Sequence, residues 1–144
     1  MLGGESSGGL TVRGWILGKD GIFACALVVE MLARTGRSIS ELREMIYAIT
    51  GRLYSLEAGV AATPEMRVAV PRRLEATPLT HVGPYKVERI SHLDGTKIYL
   101  ENDNWALMRF SGTEPVLRMF VEADSPAKAR ELLDWLKGFV TVGA

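Results

Sequence analysis

The chain predicts an α+β fold. Its second half carries consecutive short segments of alternating apolar and polar residues, separated by turn residues, and a capped amphipathic helix closes the run. Helical periodicity dominates the first half instead. Taken in order, Gly3–Gly9 is a glycine-rich loop, and Leu10–Leu17 reads as a strand leaving it. A helix follows from Asp20, whose carboxylate suits an N-cap, to Arg34; apolar residues on all its sides predict a buried helix. Ser38 and Glu41 form a capping box for a second helix, which carries Leu42, Met45, Ile46 and Ile49 on one face and can end at Gly51.

Arg52–Glu65, with Gly59 and Pro64, reads as a linker, dividing residues 1–62 from residues 63–144. Met66–Val70 alternates like a strand that Pro71 stops, and Pro71–Thr80 has room for a short helix at most. Tyr85–His92, Lys97–Glu101, Trp105–Phe110 and Val116–Ala123 then predict an antiparallel meander with turns at Asp94-Gly95 and Asn102-Asp103-Asn104. Ser125 caps a last helix, Pro126 suits its first position, and Ala129, Leu132, Leu133 and Leu136 form its buried stripe.

Bulk properties narrow the function classes. At 144 residues and 47% hydrophobic, the chain is of one-domain or small two-domain size. Its 17 basic and 17 acidic residues cancel, which argues against a nucleic-acid partner. The longest apolar stretch, Ile22–Val29, is far short of a membrane span, no signal sequence opens the chain, and the expected location is cytoplasmic. Cys25 is the single cysteine, expected as a buried core thiol. His81 and His92 stand apart, and the aspartates are scattered, so no metal site is read from spacing.

Two strings carry chemistry. Arg109-Phe110-Ser111-Gly112-Thr113-Glu114-Pro115 runs from a strand into a tight turn with a guanidinium, two hydroxyls and several backbone N–H groups, a combination that can hold a phosphate. Gly112 lets the backbone approach the anion or take positive φ. Alone, the string fits an ordinary hairpin loop with a solvated arginine equally well. Arg118, across the loop, is a candidate second charge; pairing with Glu122 or facing solvent fits the sequence as well. The second string, Gly3-Gly4-Glu5-Ser6-Ser7-Gly8-Gly9, offers Glu5 as acceptor and Ser7 as donor and acceptor, which suits neighbouring sugar hydroxyls. By composition it also fits a flexible terminal tail. Lys19 and Asp20 can reach a substrate, although a helix cap accounts for Asp20.

In this order and at this spacing, the two strings resemble the alpha-D-phosphohexomutase superfamily, the phosphoglucomutase and phosphomannomutase enzymes, over nearly the whole chain. Lys19-Asp20-Gly21-Ile22 and Thr63-Pro64-Glu65-Met66-Arg67 also resemble the family's pattern. The resemblance implies a partial, mainly helical α/β third domain followed by a fourth domain similar to half of the TATA-binding protein. It implies that Glu5 and Ser7 recognise the sugar, and that Arg109, Ser111, Gly112 and Thr113 hold the phosphate that is not reacting. Gly9, where many relatives carry His, points to the phosphoglucomutase-like branch.

No counterpart of the family's phosphorylated serine or of its Asp-x-Asp-x-Asp magnesium loop occurs in this sequence. The resemblance therefore implies the C-terminal part of a mutase cut inside its third domain, inactive alone and with no catalytic residue of its own. Magnesium would bind outside this chain, and a hexose 1,6-bisphosphate would be the intermediate. The expected partners are a hexose phosphate and the N-terminal domains, with a homodimer as a further expectation. A stand-alone, non-catalytic sugar-phosphate-binding or interaction module is the alternative.

Overall fold

The computed structural model describes residues 1–5, 7–76 and 78–141, so Ser6 of the glycine loop lies outside the described residues. The chain divides into two compact units, Met1–Ile49 and Thr50–Ala144.

The first unit opens with an antiparallel ribbon, β1 (Leu2–Gly4) and β2 (Leu10–Val12), in the register Leu2↔Val12 to Gly4↔Leu10. The predicted strand to Leu17 stops at Val12 because the chain turns back on itself, Trp15 N donating to Val12 O, and Gly14 adopts a left-handed φ of 93°. Helix α1 (Gly21–Thr35) begins as predicted: the Phe23 N–H donates to Asp20 Oδ1 at 3.0 Å, and the Trp15 indole N–H donates to Oδ2 at 3.0 Å. Gly36, at φ 63°, closes the helix in the left-handed conformation. Helix α2 (Ile39–Thr50) has the expected capping box, with the Ser38 N–H donating to Glu41 Oε2 at 2.7 Å and the Glu41 N–H donating to Ser38 Oγ at 3.3 Å. Two further expectations fail in this unit. None of the residues of α1 or α2 is buried, and Cys25 is exposed. The apolar residues that predicted a buried helix are present, but no sheet among the described residues 1–49 covers them.

The second unit is one antiparallel sheet in the order β3-β8-β7-β6-β5-β4, built from β3 (Tyr54–Ala61), β4 (His81–Val82), β5 (Tyr85–Ser91), β6 (Thr96–Leu100), β7 (Trp105–Phe110) and β8 (Val116–Ala123). The four predicted meander strands are present to within a residue or so at each end. The segment read as a linker instead holds β3, which pairs with β8 along its whole length, from Tyr54↔Ala123 to Ala61↔Val116. The segment read as a strand stopped by Pro71 is instead helix α3 (Pro64–Ala76), with Pro71 inside it. Thr63 starts α3 by accepting from the Met66 N–H at 3.3 Å, and Pro64 takes the first position, where its missing N–H costs nothing.

Alternation fixes which face of the sheet is covered. Ile98 and Leu100, Ala106 and Met108, and Leu117, Met119, Val121 and Ala123 are buried. Their partners are Ala129, Leu132, Leu133, Leu136 and Val140 of α4 (Pro126–Thr141), the stripe predicted from sequence. Each fully buried leucine or isoleucine there stabilises the unit by about 1.5–3 kcal/mol. Met66 and Val70 bring α3 into the same core, and Arg73 of α3 donates to Phe139 O of α4 at 2.7 Å. The alternate residues, among them Lys97, Tyr99, Trp105, Leu107, Arg109, Arg118 and Phe120, form the opposite face. Buried Asn104 locks the β6–β7 turn to the end of β8: its side-chain N–H donates to Glu101 O at 2.6 Å, and its Oδ1 accepts from the Asp124 N–H at 2.7 Å.

Candidate functional site

The loop after β7 is ordered by its own first hydroxyl. Ser111 is 8% exposed, and its Oγ accepts from the backbone N–H of Thr113 at 3.4 Å and of Glu114 at 3.2 Å. Two of the N–H groups expected to converge on an anion thus converge on Ser111. With both of its acceptor positions engaged, this hydroxyl has its O–H left to give, the polarity a phosphate oxygen needs. The Ser111 N–H donates to Val116 O at 2.8 Å, closing the loop at its base. Thr113 is exposed and keeps its hydroxyl at the surface. Gly112 has no atom within 4 Å of where a Cβ would stand and no positive φ, so of its two expected roles only close approach of a ligand is available.

Arginines flank this loop. Arg109 on β7 and Arg118 on β8 are directly paired in the register, on the face away from the helices. Like charges directly opposite on neighbouring strands repel, and each is offset here by a carboxylate. Arg109 Nη1 lies 2.7 Å from Asp94 Oδ2, and Arg118 Nη2 lies 2.5 Å from Glu114 Oε2. Arg118 thus pairs with Glu114, while Glu122 accepts from Ser55 and from the Trp105 indole. An open cleft of about 220 Å³, lined by Glu57, Gly59, Val116, Arg118 and Phe120 among others, borders Arg118. Sequence reasoning gave no role to Arg67, which donates to Ser111 O at 3.5 Å and stacks its guanidinium 5.0 Å from the Phe110 ring centroid. Asp94 was legible only as a turn residue, yet the register Thr96↔Met108, carried one step on, sets its neighbour Gly95 beside Arg109.

In the first unit the glycine loop is a closed turn, with Glu5 N donating to Gly9 O at 2.9 Å and Gly8 N donating to Glu5 O at 3.0 Å. Glu5 Oε2 accepts from Lys19 Nζ at 2.8 Å and from Ser7 Oγ at 3.2 Å. The Lys19 hydrogen bond, its positive charge and the Ser7 hydroxyl together hold the Glu5 carboxyl below its ordinary value of 4.5. Glu5 therefore remains an ionised acceptor. A Cβ on Gly9 would stand 2.6 Å from Lys19 Cδ and 2.9 Å from Glu5 Oε2, so a side chain there would displace the ends of the Lys19 and Glu5 side chains. Gly3, Gly4, Glu5, Gly9, Thr11 and Lys19 line a shallow cavity of about 220 Å³. The structure thus joins Lys19 to the predicted Glu5 and Ser7, and assigns Asp20 to the cap of α1.

Both loops fall within segments matched by family models. Residues 1–49 match phosphoglucomutase/phosphomannomutase alpha/beta/alpha domain III, and residues 65–136 match the phosphoglucomutase/phosphomannomutase C-terminal domain. The chain belongs to the phosphoglucomutase/phosphomannomutase family. A phosphoglucomutase/phosphomannomutase of Thermococcus kodakarensis is 35% identical to this family member over 92% of the chain and 27% of the relative. A probable phosphoglucosamine mutase of Pyrococcus furiosus is 37% identical over 97% of the chain and 29% of the relative. The chain thus spans well under a third of the length of these relatives. A crystal structure of a phosphoglucomutase/phosphomannomutase family protein from Burkholderia thailandensis shares the fold, with a TM-score of 0.70 at 23% identity over 98% of the chain and 28% of that protein. The matches follow the element order: the domain III match ends in α2, and the C-terminal-domain match begins in α3.

Proposed function

We propose that this chain is the substrate-recognition part of a hexose-phosphate mutase that interconverts hexose 1-phosphate and hexose 6-phosphate. The observation that carries the reading is the cross-strand pair Arg109 and Arg118 beside a loop whose Ser111 hydroxyl has its donor to give. Arg109 binds the non-reacting phosphate through its planar fork, Ser111 and Thr113 donate single hydrogen bonds, Gly112 admits the ligand, and Arg118 supplies a second guanidinium beside the site. Glu5 and Ser7 hold sugar hydroxyls as acceptor and mixed partner, with Lys19 fixing the Glu5 carboxylate. These groups position substrate and neutralise its charge; the phosphoryl donor, absent from this sequence, comes from the N-terminal domains, so this chain alone does not turn over. The hexose 1,6-bisphosphate intermediate has to present either end to the same grip.

Among the described residues no group of three histidine, cysteine or acidic side chains is placed to hold a metal ion. The reading places magnesium outside this chain, and no step of it runs through the metal. No helix among the described residues is long and apolar enough to cross a membrane. A cytoplasmic location, partnership with the N-terminal domains and self-association complete the proposal.

Calorimetric titration with glucose 1-phosphate and glucose 6-phosphate tests it, with free glucose as control. Both phosphates should bind the wild-type chain, and Arg109→Ala should weaken them by about 2–3 kcal/mol, the scale of hydrogen bonds to a charged group. Equal binding in the mutant would remove Arg109 from the site.

A further inference from the structure

We infer that Asp94 is an internal counter-anion, which competes with the substrate phosphate for Arg109 and so sets how readily the grip releases. The inference rests on the reading of Arg109 as the phosphate ligand. Asp94 lies in the β5–β6 turn, and its Oδ2 is 2.7 Å from Arg109 Nη1. The turn is fixed against the arginine by the next residue. Gly95 has a left-handed φ of 77°, and a Cβ on it would stand 2.5 Å from Met108 O and 2.9 Å from Arg109 Cβ. Backbone contact therefore sets the turn that carries Asp94 against Arg109, within reach of its guanidinium.

The side chain itself is loosely held. The Asp94 side chain is 72% exposed and that of Arg109 45%, and Arg109 is the one hydrogen-bonding partner found for Asp94 among the described residues. A pair this exposed contributes little to stability, so fixing the fold is a weak explanation for it. Its effect on an incoming dianion is larger. The carboxylate takes an N–H that a phosphate oxygen would use and adds a negative charge within a few ångströms of that oxygen. Glu114 treats Arg118 in the same way, so the two arginines and two carboxylates carry no net charge together. A grip built this way exchanges one anion for another rather than holding the first indefinitely. That suits a bisphosphorylated ligand whose two ends must alternate in one site.

The test is titration of the full chain with inorganic phosphate and with glucose 1-phosphate, comparing wild type, Asp94→Asn, Asp94→Ser, Arg109→Ala and the Asp94→Asn/Arg109→Ala double variant. Both Asp94 variants should bind both ligands about three- to tenfold more tightly, and the gain should vanish when Arg109 is absent. Tighter binding cannot come from a chain that has failed to fold. Unchanged or weaker binding in both Asp94 variants, with Arg109→Ala still weakening the wild type, overturns the role of Asp94 alone. Binding that Arg109→Ala leaves unchanged, or no binding by any variant, overturns the phosphate site itself. Binding by the Asp94 variants where the wild type shows none would support the inference in its strongest form.

Discussion

At the scale of single residues, the site is held by groups that a motif does not name. Arg109, Ser111, Gly112 and Thr113 were legible because a phosphate needs a guanidinium, hydroxyls and an open backbone close together in sequence. Asp94 and Arg67 were not, because each reaches its partner across a register or a turn, and Lys19 was legible as a group within reach of substrate but not as the partner of Glu5, fourteen residues before it. Arg118 was legible as a charge but not as the partner of Glu114. Gly95 shows the same dependence. Its sequence context marks a turn, yet the space behind it is closed by β7. Gly95→Ala is expected to destabilise the second unit by about 2–4 kcal/mol, combining the left-handed backbone with a collision against a main-chain oxygen. Urea denaturation measures it, and a loss under 1 kcal/mol would mean that the turn moves aside at little cost.

At the scale of elements, what could be read depended on which period the residues obeyed. Strands β5 to β8 alternate cleanly between turn residues, and α4 carries both a cap and a stripe, so local and tertiary preferences agree. β3 was missed because Gly59 and its alanines weaken the pattern; the strand exists through its pairing with β8, a contact between segments far apart in sequence. In α3 the residues Met66, Val68 and Val70 alternate like a strand, but the buried set is Met66 and Val70, four apart, while Val68 is 52% exposed. Pro71 completed the misreading by seeming to end the segment. A proline there leaves the Arg67 carbonyl without its helical donor and crowds the preceding turn, at a cost near 3 kcal/mol. Pro71 is exposed, so its ring packs little. Pro71→Ala should raise stability by about 1–2 kcal/mol once the looser unfolded chain is counted. A lowered melting temperature would mean that the proline itself is needed to seat Met66 and Val70.

At the scale of the whole molecule, the family and the α+β class were legible because motif order and element order agree, whereas burial in the first half was not. Apolar residues all round a helix mark it for a covered place, but they do not supply the cover. An alpha/beta/alpha domain lays helices on a central sheet, and residues 1–49 bring two helices and a two-stranded ribbon. The second unit, by contrast, has its own core of sheet and helix. Ile22, Val29, Ile39, Ile46 and Ile49 all stand more than half exposed on α1 and α2. A protease acts where the backbone opens, and opening is cheapest where little apolar area is lost. Brief trypsin digestion should therefore cut first at the arginines of the helical half, Arg34, Arg37 and Arg43, and leave a resistant product that begins near Tyr54 and keeps α4. Equal survival of both halves would show that the helices find cover in solution.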